Sequence, residues 1–394
     1  MIKKLTEDVY NVGAIDWDRT LFDEIVPTPQ GTSYNAYIVF GKEKTALIDT
    51  VEPYKFDELK RNLEELNVKK IDYIISNHAE QDHSGSIPML LEMFPEAVVI
   101  TNEKCKGFEM DLLHIPEEKF QVIKEGDTID LGGKTLEFIF TPWVHWPETM
   151  STYLVEDKIL FSCDFFGSHV ATSYTFARYY DKVYHEAKRY YAEIMMPFRN
   201  FIEKNIKKVE AKEINIIAPS HGPAFDNPEY IINAYKEWID PTPQNMVLIA
   251  FVSMHESTKK MVEYLADALV RKGVDVKIRN LTTGDVGEIA MDLVDVATII
   301  VATPMVLAGA HPNAVYGAYL VNALRPKAKF AGIIGSFSWG GKAVDVIKAN
   351  LSNLKVDLLE PVFIKGEAKD KDLAKLDELA ETIYQKHKEA GIVK

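Results

Sequence analysis

Within six residues, His78-Ala79-Glu80-Gln81-Asp82-His83, the chain sets two imidazoles and two carboxylates directly after the apolar run Ile71-Asp72-Tyr73-Ile74-Ile75. A short isoleucine-rich run reads as a buried strand, so the four polar side chains leave the strand end in a loop. In an extended turn, side chains two apart point the same way, and their nitrogens and oxygens converge on two neighbouring cations. A metal pair needs further ligands from distant parts of the chain. Three candidates stand just past strand-like runs: His145 after Thr135–Phe140, Asp164 after Lys158–Cys163, and His221 after Ile214–Ala218. A fold that uses them must bring these strand ends to one rim, where an α/β scaffold holds reactive side chains on rigid supports. A lone loop histidine is ordinarily a satisfied or solvated residue, and an Asp at a strand end is ordinarily a turn or cap residue. Neither role accounts for two of each within six positions.

The spacing resembles the HxHxDH motif of the metallo-β-lactamase superfamily, with Glu80 in place of the second His. A carboxylate there makes the donor set harder and more anionic, which favours iron over zinc and redox chemistry over hydrolysis. The ordered set His78, Glu80, Asp82, His83, His145, Asp164 and His221 is similar to the diiron site of the flavodiiron proteins. The segments Asp16–Asp23 and Thr28–Tyr37 also look like that family's amino-terminal region, and the resemblance covers essentially the whole chain. It implies one iron on His78, Glu80 and His145, a second on Asp82, His83 and His221, and Asp164 as the bridge. It also implies reduction of O2 to water or of NO to N2O, with FMN as relay and rubredoxin as donor. The same resemblance implies a head-to-tail homodimer, or a dimer of such dimers. The competing reading is a dizinc hydrolase of metallo-β-lactamase fold with a fused flavodoxin-like domain. A third, an electron carrier with a vestigial metal site, is disfavoured because every ligand position is filled.

At 394 residues and 47% hydrophobic content the chain can bury two cores. Asp240-Pro241-Thr242-Pro243-Gln244-Asn245 is the expected linker, since two prolines block helix continuation. Residues 1–240 carry hairpin signals around Gly41–Lys44 and Gly132-Gly133 and an amphipathic helix over Phe56–Leu66. Periodicity alone gives an α/β region there. The resemblance makes it a metallo-β-lactamase-like αββα sandwich. Residues 241–394 open on the continuous apolar run Met246–Ser253 and alternate strands with helices, the pattern of a flavodoxin-like doubly wound parallel sheet.

Such a sheet binds ligands at the carboxyl ends of its strands. Three segments occupy those ends: Ser253-Met254-His255-Glu256-Ser257-Thr258, Thr303-Pro304-Met305-Val306-Leu307-Ala308-Gly309 and Ser336-Phe337-Ser338-Trp339-Gly340. Together they resemble the three FMN-binding loops of flavodoxin-like domains. The first offers hydroxyls and a helix N-terminus to a phosphate, and Trp339 offers a surface to the isoalloxazine. Glu256 stands where the family's phosphate loop usually has Gly.

A formal net charge of −14 argues against nucleic acid as a partner. No apolar stretch approaches the roughly 20 residues needed to span a bilayer. The amino terminus turns acidic before a signal-peptide core forms, so a cytoplasmic location is expected. Two cysteines, Cys105 and Cys163, read as reduced thiols, and no Cys-x-x-Cys pair supplies a rubredoxin module. Electrons then come from a separate protein. His185 and His387 are expected to be solvated, and His114, His169 and His311 to be structural or surface residues, with His169 and His255 able to approach a substrate or cofactor in the fold.

Overall fold

The structure, a computed structural model, describes residues 1–393. The chain divides into two compact units, Met1–Ile239 and Asp240–Lys394.

The first unit is built on a seven-stranded sheet and a five-stranded sheet. In the first, Tyr37–Phe40 and Thr45–Ile48 form the antiparallel hairpin expected around Gly41, and Tyr73–Ile75 and Val98–Thr101 add in parallel. In the second, Thr135–Phe140, Met150–Leu154 and Ile159–Cys163 run antiparallel, and Ile216–Pro219 joins in parallel. Alternate residues of the first sheet enter two different cores. Val39, Ile48, Ile75 and Ile100 meet Phe138, Leu154 and Phe161 of the second sheet. Their neighbours Ile38, Leu47, Ile74 and Val99 pack with Leu59 and Leu63 of the helix Phe56–Glu65 and Leu90 of the helix Ile87–Met93. The period-two alternation of a strand, apolar on both faces, makes these runs continuously hydrophobic. Truncating any of these isoleucines to Ala costs about 2 to 5 kcal/mol.

In the second unit five parallel strand positions lie in the spatial order second, first, third, fourth, fifth. The first is Gln244–Phe251, the second Asp275–Asn280, the third Val296–Val306 and the fourth Phe330–Phe337, while Asp357–Leu358 and Val362–Lys365 share the fifth position. Val247, Ile249 and Ile300 pack against Met261 and Leu265 of the helix Ser257–Val270 and Leu376 and Ile383 of the helix Asp370–Glu389. Two expectations need correction. The extended linker ends sooner than expected, because Gln244 is already paired with Val296 and its N–H bonds Asp295 O at 2.7 Å. The segment Thr303–Gly309 is not a loop throughout. The third strand runs on through Val306, whose apolar β-branched side chain suits a strand, and turns at Leu307-Ala308 into a two-residue antiparallel return. Among the described residues no helix is long and apolar enough to cross a membrane.

Candidate metal centre

The expected ligands all lie where strands of both sheets of the first unit end. His78 to His83 follow Tyr73–Ile75, His145 lies between Thr135–Phe140 and Met150–Leu154, Asp164 follows Ile159–Cys163, and His221 follows Ile216–Pro219. The first cluster is not an extended turn. Glu80 has extended backbone and starts a one-turn helix, Gln81–Ser84, so Asp82 and His83 are presented by helical geometry. Thr50 fastens that turn, its N–H donating to His83 O at 2.7 Å.

The side chains form two sets that meet at Asp164. His78, Glu80, His145 and Asp164 are one group, and Asp82, His83 and His221 are another. Glu80 Oε2 lies 3.2 Å from His78 Nε2 and 3.0 Å from His145 Nε2. Asp82 Oδ2 lies 3.1 Å from His221 Nε2, and Asp82 Oδ1 lies 3.3 Å from His83 Nε2. Asp164 turns Oδ2 toward His78 at 3.5 Å and Oδ1 toward His83 at 3.0 Å. Asp82 Oδ1 and Oδ2, His83 Nε2 and Asp164 Oδ2 are buried without a hydrogen-bond partner. Unpartnered buried polar atoms are costly. Close approach without hydrogen-bond geometry is what ligands directed at a cation show, so this donor set fits two metal ions. Burial opposes ionisation of Asp164, but the imidazoles of His83, His221 and His78 close around it outweigh that cost, holding its carboxyl well below the usual range. Cys163 also lies within reach of His83 and Asp164. In the metal-free site, burial and the Asp164 and Asp49 charges push its thiol well up.

Sequence reasoning missed the residues that aim these ligands. Asp49 accepts the backbone N–H of Asn77 at 2.8 Å and its side-chain amide at 2.9 Å, and takes the Ser220 hydroxyl at 3.3 Å. One carboxylate thus ties the residue before His78 to the residue before His221. Asn35 holds the same loop through Pro219 O and Gly222 O, each at 2.8 Å, and Ser33 O accepts His221 Nδ1 at 2.7 Å. Gly222 sits at φ 81, where a side chain would collide with Ser168. Tyr190 donates to Asp164 Oδ1 at 2.9 Å from the helix Tyr180–Tyr190. His78 Nδ1 lies 2.6 Å from Glu148 Oε1. The signal for Asp49 and Glu148 was an acid at a strand end or beside a ligand loop, which is too common to single out.

Of the remaining histidines, His169 lies near the site and His387 departs from expectation. His169 belongs to the site's surroundings, with its ring 5.1 Å from His221 and 4.7 Å from Phe22 and its Nδ1 2.8 Å from Thr32 Oγ1. His387 is buried, with Nε2 2.7 Å from Thr298 Oγ1 and Nδ1 2.8 Å from Asn245 Oδ1. It lies on the apolar stripe of an otherwise charged helix, which composition did not disclose.

In the second unit a cleft of about 240 Å³ is lined by Ser253, Met254, His255, Ser257, Thr258, Pro304, Met305, Ser336, Phe337 and Ser338. Gly366 and Glu367, which sequence reasoning did not include, complete it. Thr258 and Ser336 share a hydrogen bond at 3.1 Å. Thr303 is buried, its hydroxyl spent on Pro304 O and the His311 N–H. Val306, Ala308, Gly309 and Gly340 do not line the cleft, nor do Leu307 and Trp339, which are 88% and 63% exposed. Glu256 takes the left-handed conformation, φ 65, that explains a Gly preference there, and its carboxylate pairs with Lys259 at 3.0 Å. Hydroxyls, a helix N-terminus and the Phe337 ring around a cleft at the strand ends fit a phosphorylated flavin.

Comparison with known proteins agrees with this geometry. The family described as ODP family beta lactamase matches residues 32–222. The nitric oxide reductase of Moorella thermoacetica is 34% identical over 390 residues, covering 96% of this chain and 97% of that one. The solved structure of rubredoxin oxygen:oxidoreductase from Desulfovibrio gigas superposes with a TM-score of 0.95 at 30% identity, covering 100% of both chains. That of the flavodiiron protein from Giardia intestinalis gives 0.91 at 27% identity, covering 98% of each. The relatives are oxidoreductases, which sets the hydrolase reading aside, and the chain belongs to the flavodiiron protein family.

Proposed function

We propose that the protein is a diiron and FMN oxidoreductase that reduces O2 to water, NO to N2O, or both, with electrons from rubredoxin. The observation that carries this reading is Asp164, whose two oxygens face two separate sets of imidazole and carboxylate donors. His78, Glu80 and His145 would hold one iron and Asp82, His83 and His221 the other, with Asp164 between them. When bound, the irons and the flavin supply the electrons that the gas takes up.

The chain's own residues set the conditions for that chemistry. Glu80, Asp82 and Asp164 concentrate negative charge that favours oxidised iron over zinc. Ser33 O and Glu148 fix the tautomers of His221 and His78 through their Nδ1 atoms. Phe22, Tyr34 and His169 wall the His221 side with rings and exclude water. Glu80 and His145 are the least buried of the ligands and leave a side open to a small molecule. In the second unit, Ser253, Ser257, Thr258 and Ser338 would hold the FMN phosphate, with Met254, His255, Pro304, Met305, Ser336 and Phe337 around the flavin. Leu307 and Trp339, apolar and exposed beside this cleft, favour a head-to-tail homodimer that covers them. Two free buried thiols suit a cytoplasmic location.

Anaerobic analysis of iron and FMN, followed by reduced rubredoxin and either gas with consumption recorded, tests the reading. Two irons and one FMN per chain with turnover are expected. Zinc without flavin, inert to both gases after iron reconstitution, contradicts it.

A further inference from the structure

We propose that Glu148 is a positioning residue for the metal on the His78 side, an inference that rests on the diiron reading. Its carboxylate fixes His78 with Nε2 turned to the metal and strengthens that nitrogen as a donor. Glu148 Oε1 lies 2.6 Å from His78 Nδ1 and also accepts the Ala79 N–H at 3.2 Å. Both side chains are fully buried, at 0% exposure. The backbone is fastened as well, since Asn102 Nδ2 donates to Glu148 O at 2.7 Å. Among the described residues no lysine or arginine ion-pairs with Glu148, and Oε2 has no hydrogen-bond partner. A buried carboxylate without a cation is costly. Here the one titratable group it pairs with among the described residues is the His78 imidazole.

The two halves of the centre differ in this respect. His221 Nδ1 meets a neutral acceptor, Ser33 O at 2.7 Å, whereas His78 Nδ1 meets an ion. A carboxylate acceptor polarises the ring more than a carbonyl does and raises the basicity of the ligating nitrogen. The loop from Pro142 to Thr149 therefore provides both a ligand, His145, and the outer partner of another ligand, His78, for the same metal. This predicts an asymmetric effect: removing the Glu148 charge weakens one metal and spares its neighbour.

The test titrates the metal-free full-length chain with ferrous iron anaerobically, against a competing chelator, comparing wild type with Glu148→Gln and Glu148→Asp. The Gln variant is expected to hold one iron like wild type and the other roughly 10- to 100-fold more weakly. The Asp variant should recover part of that loss, with FMN content unchanged in both. Two irons held at wild-type affinity in Glu148→Gln, or both weakened equally, overturns the proposal. Wild type failing to take two irons would sink the diiron reading instead. A second measurement needs no variant: in the zinc-loaded wild-type chain the His78 Nδ1 proton should resonate far downfield and exchange slowly. Its absence there would equally overturn the assignment.

Discussion

Asp164 Oδ1 lies 3.0 Å from His83 Nε2, so the carboxylate that faces His78 with its other oxygen also reaches the second set of side chains. The His83 ring also stands 5.0 Å from that of His221. His83→Ala should keep the iron on the His78 side and weaken the other by at least about tenfold, the scale of losing one strong contact. Iron content after anaerobic dialysis reads this directly, and two irons retained at wild-type affinity would exclude His83 as a ligand.

The protonation of the metal-free site gives a pH signature. Burial opposes the charged forms of His78, His83 and His221, yet Glu148 at His78 and the Asp164 and Asp82 carboxylates at the others outweigh it. All three pKa values are raised, that of His221 to about 10. Raised pKa values mean that these imidazoles hold their protons more tightly, and a metal must displace them, so ferrous affinity should rise with pH. The metal-free fold behaves oppositely. Its stabilisation by raised histidine pKa values is complete below the unfolded value of about 6.5 and is lost as pH rises toward about 10. Iron titrations and thermal unfolding of the metal-free chain across this window should show opposite slopes.

Glu256 supplies a test of the flavin cleft. A non-Gly residue at φ 65 carries a backbone cost on the order of 1 kcal/mol, and the carboxylate adds negative charge beside the proposed phosphate site. Glu256→Gly should bind FMN as tightly as wild type or more so in a flavin-fluorescence titration. Binding weakened tenfold would mean that Glu256 itself supports the cofactor.

Much of this was legible in the sequence because strands ending in metal donors leave a local signature. The hairpin at Gly41, the strand Thr135–Phe140 and the helix starting at Phe56 stand where periodicity put them. The ligand residues were legible because two imidazoles and two carboxylates crowded into six positions, followed by three more donors just past later strands, exceed what turns and caps require. Asp49, Tyr190 and Glu148 were not, since each acts on a residue at least 26 positions away, and single-chain periodicity carries no such pairing. The strand extension through Pro304 to Val306 was masked by a proline, which normally argues against a strand.

His387 makes an acid-sensitivity prediction for the second unit. Burial against neutral partners lowers its pKa to about 4. The unfolded chain then binds the extra proton first, so stability falls as pH drops from about 6.5 to about 4. The loss should be on the order of 1 to 3 kcal/mol. It would appear as earlier flavin release in denaturant at low pH, and His387→Gln should flatten that dependence.

The central claim, that Asp164 joins two metal sites, is tested most directly by ferrous titration of metal-free wild type and Asp164→Ala. Wild type should saturate at two irons per chain, and the variant should lose tight binding at both positions because both sets share this one carboxylate. Saturation of wild type at a single iron, or two irons held equally tightly without Asp164, would contradict the account.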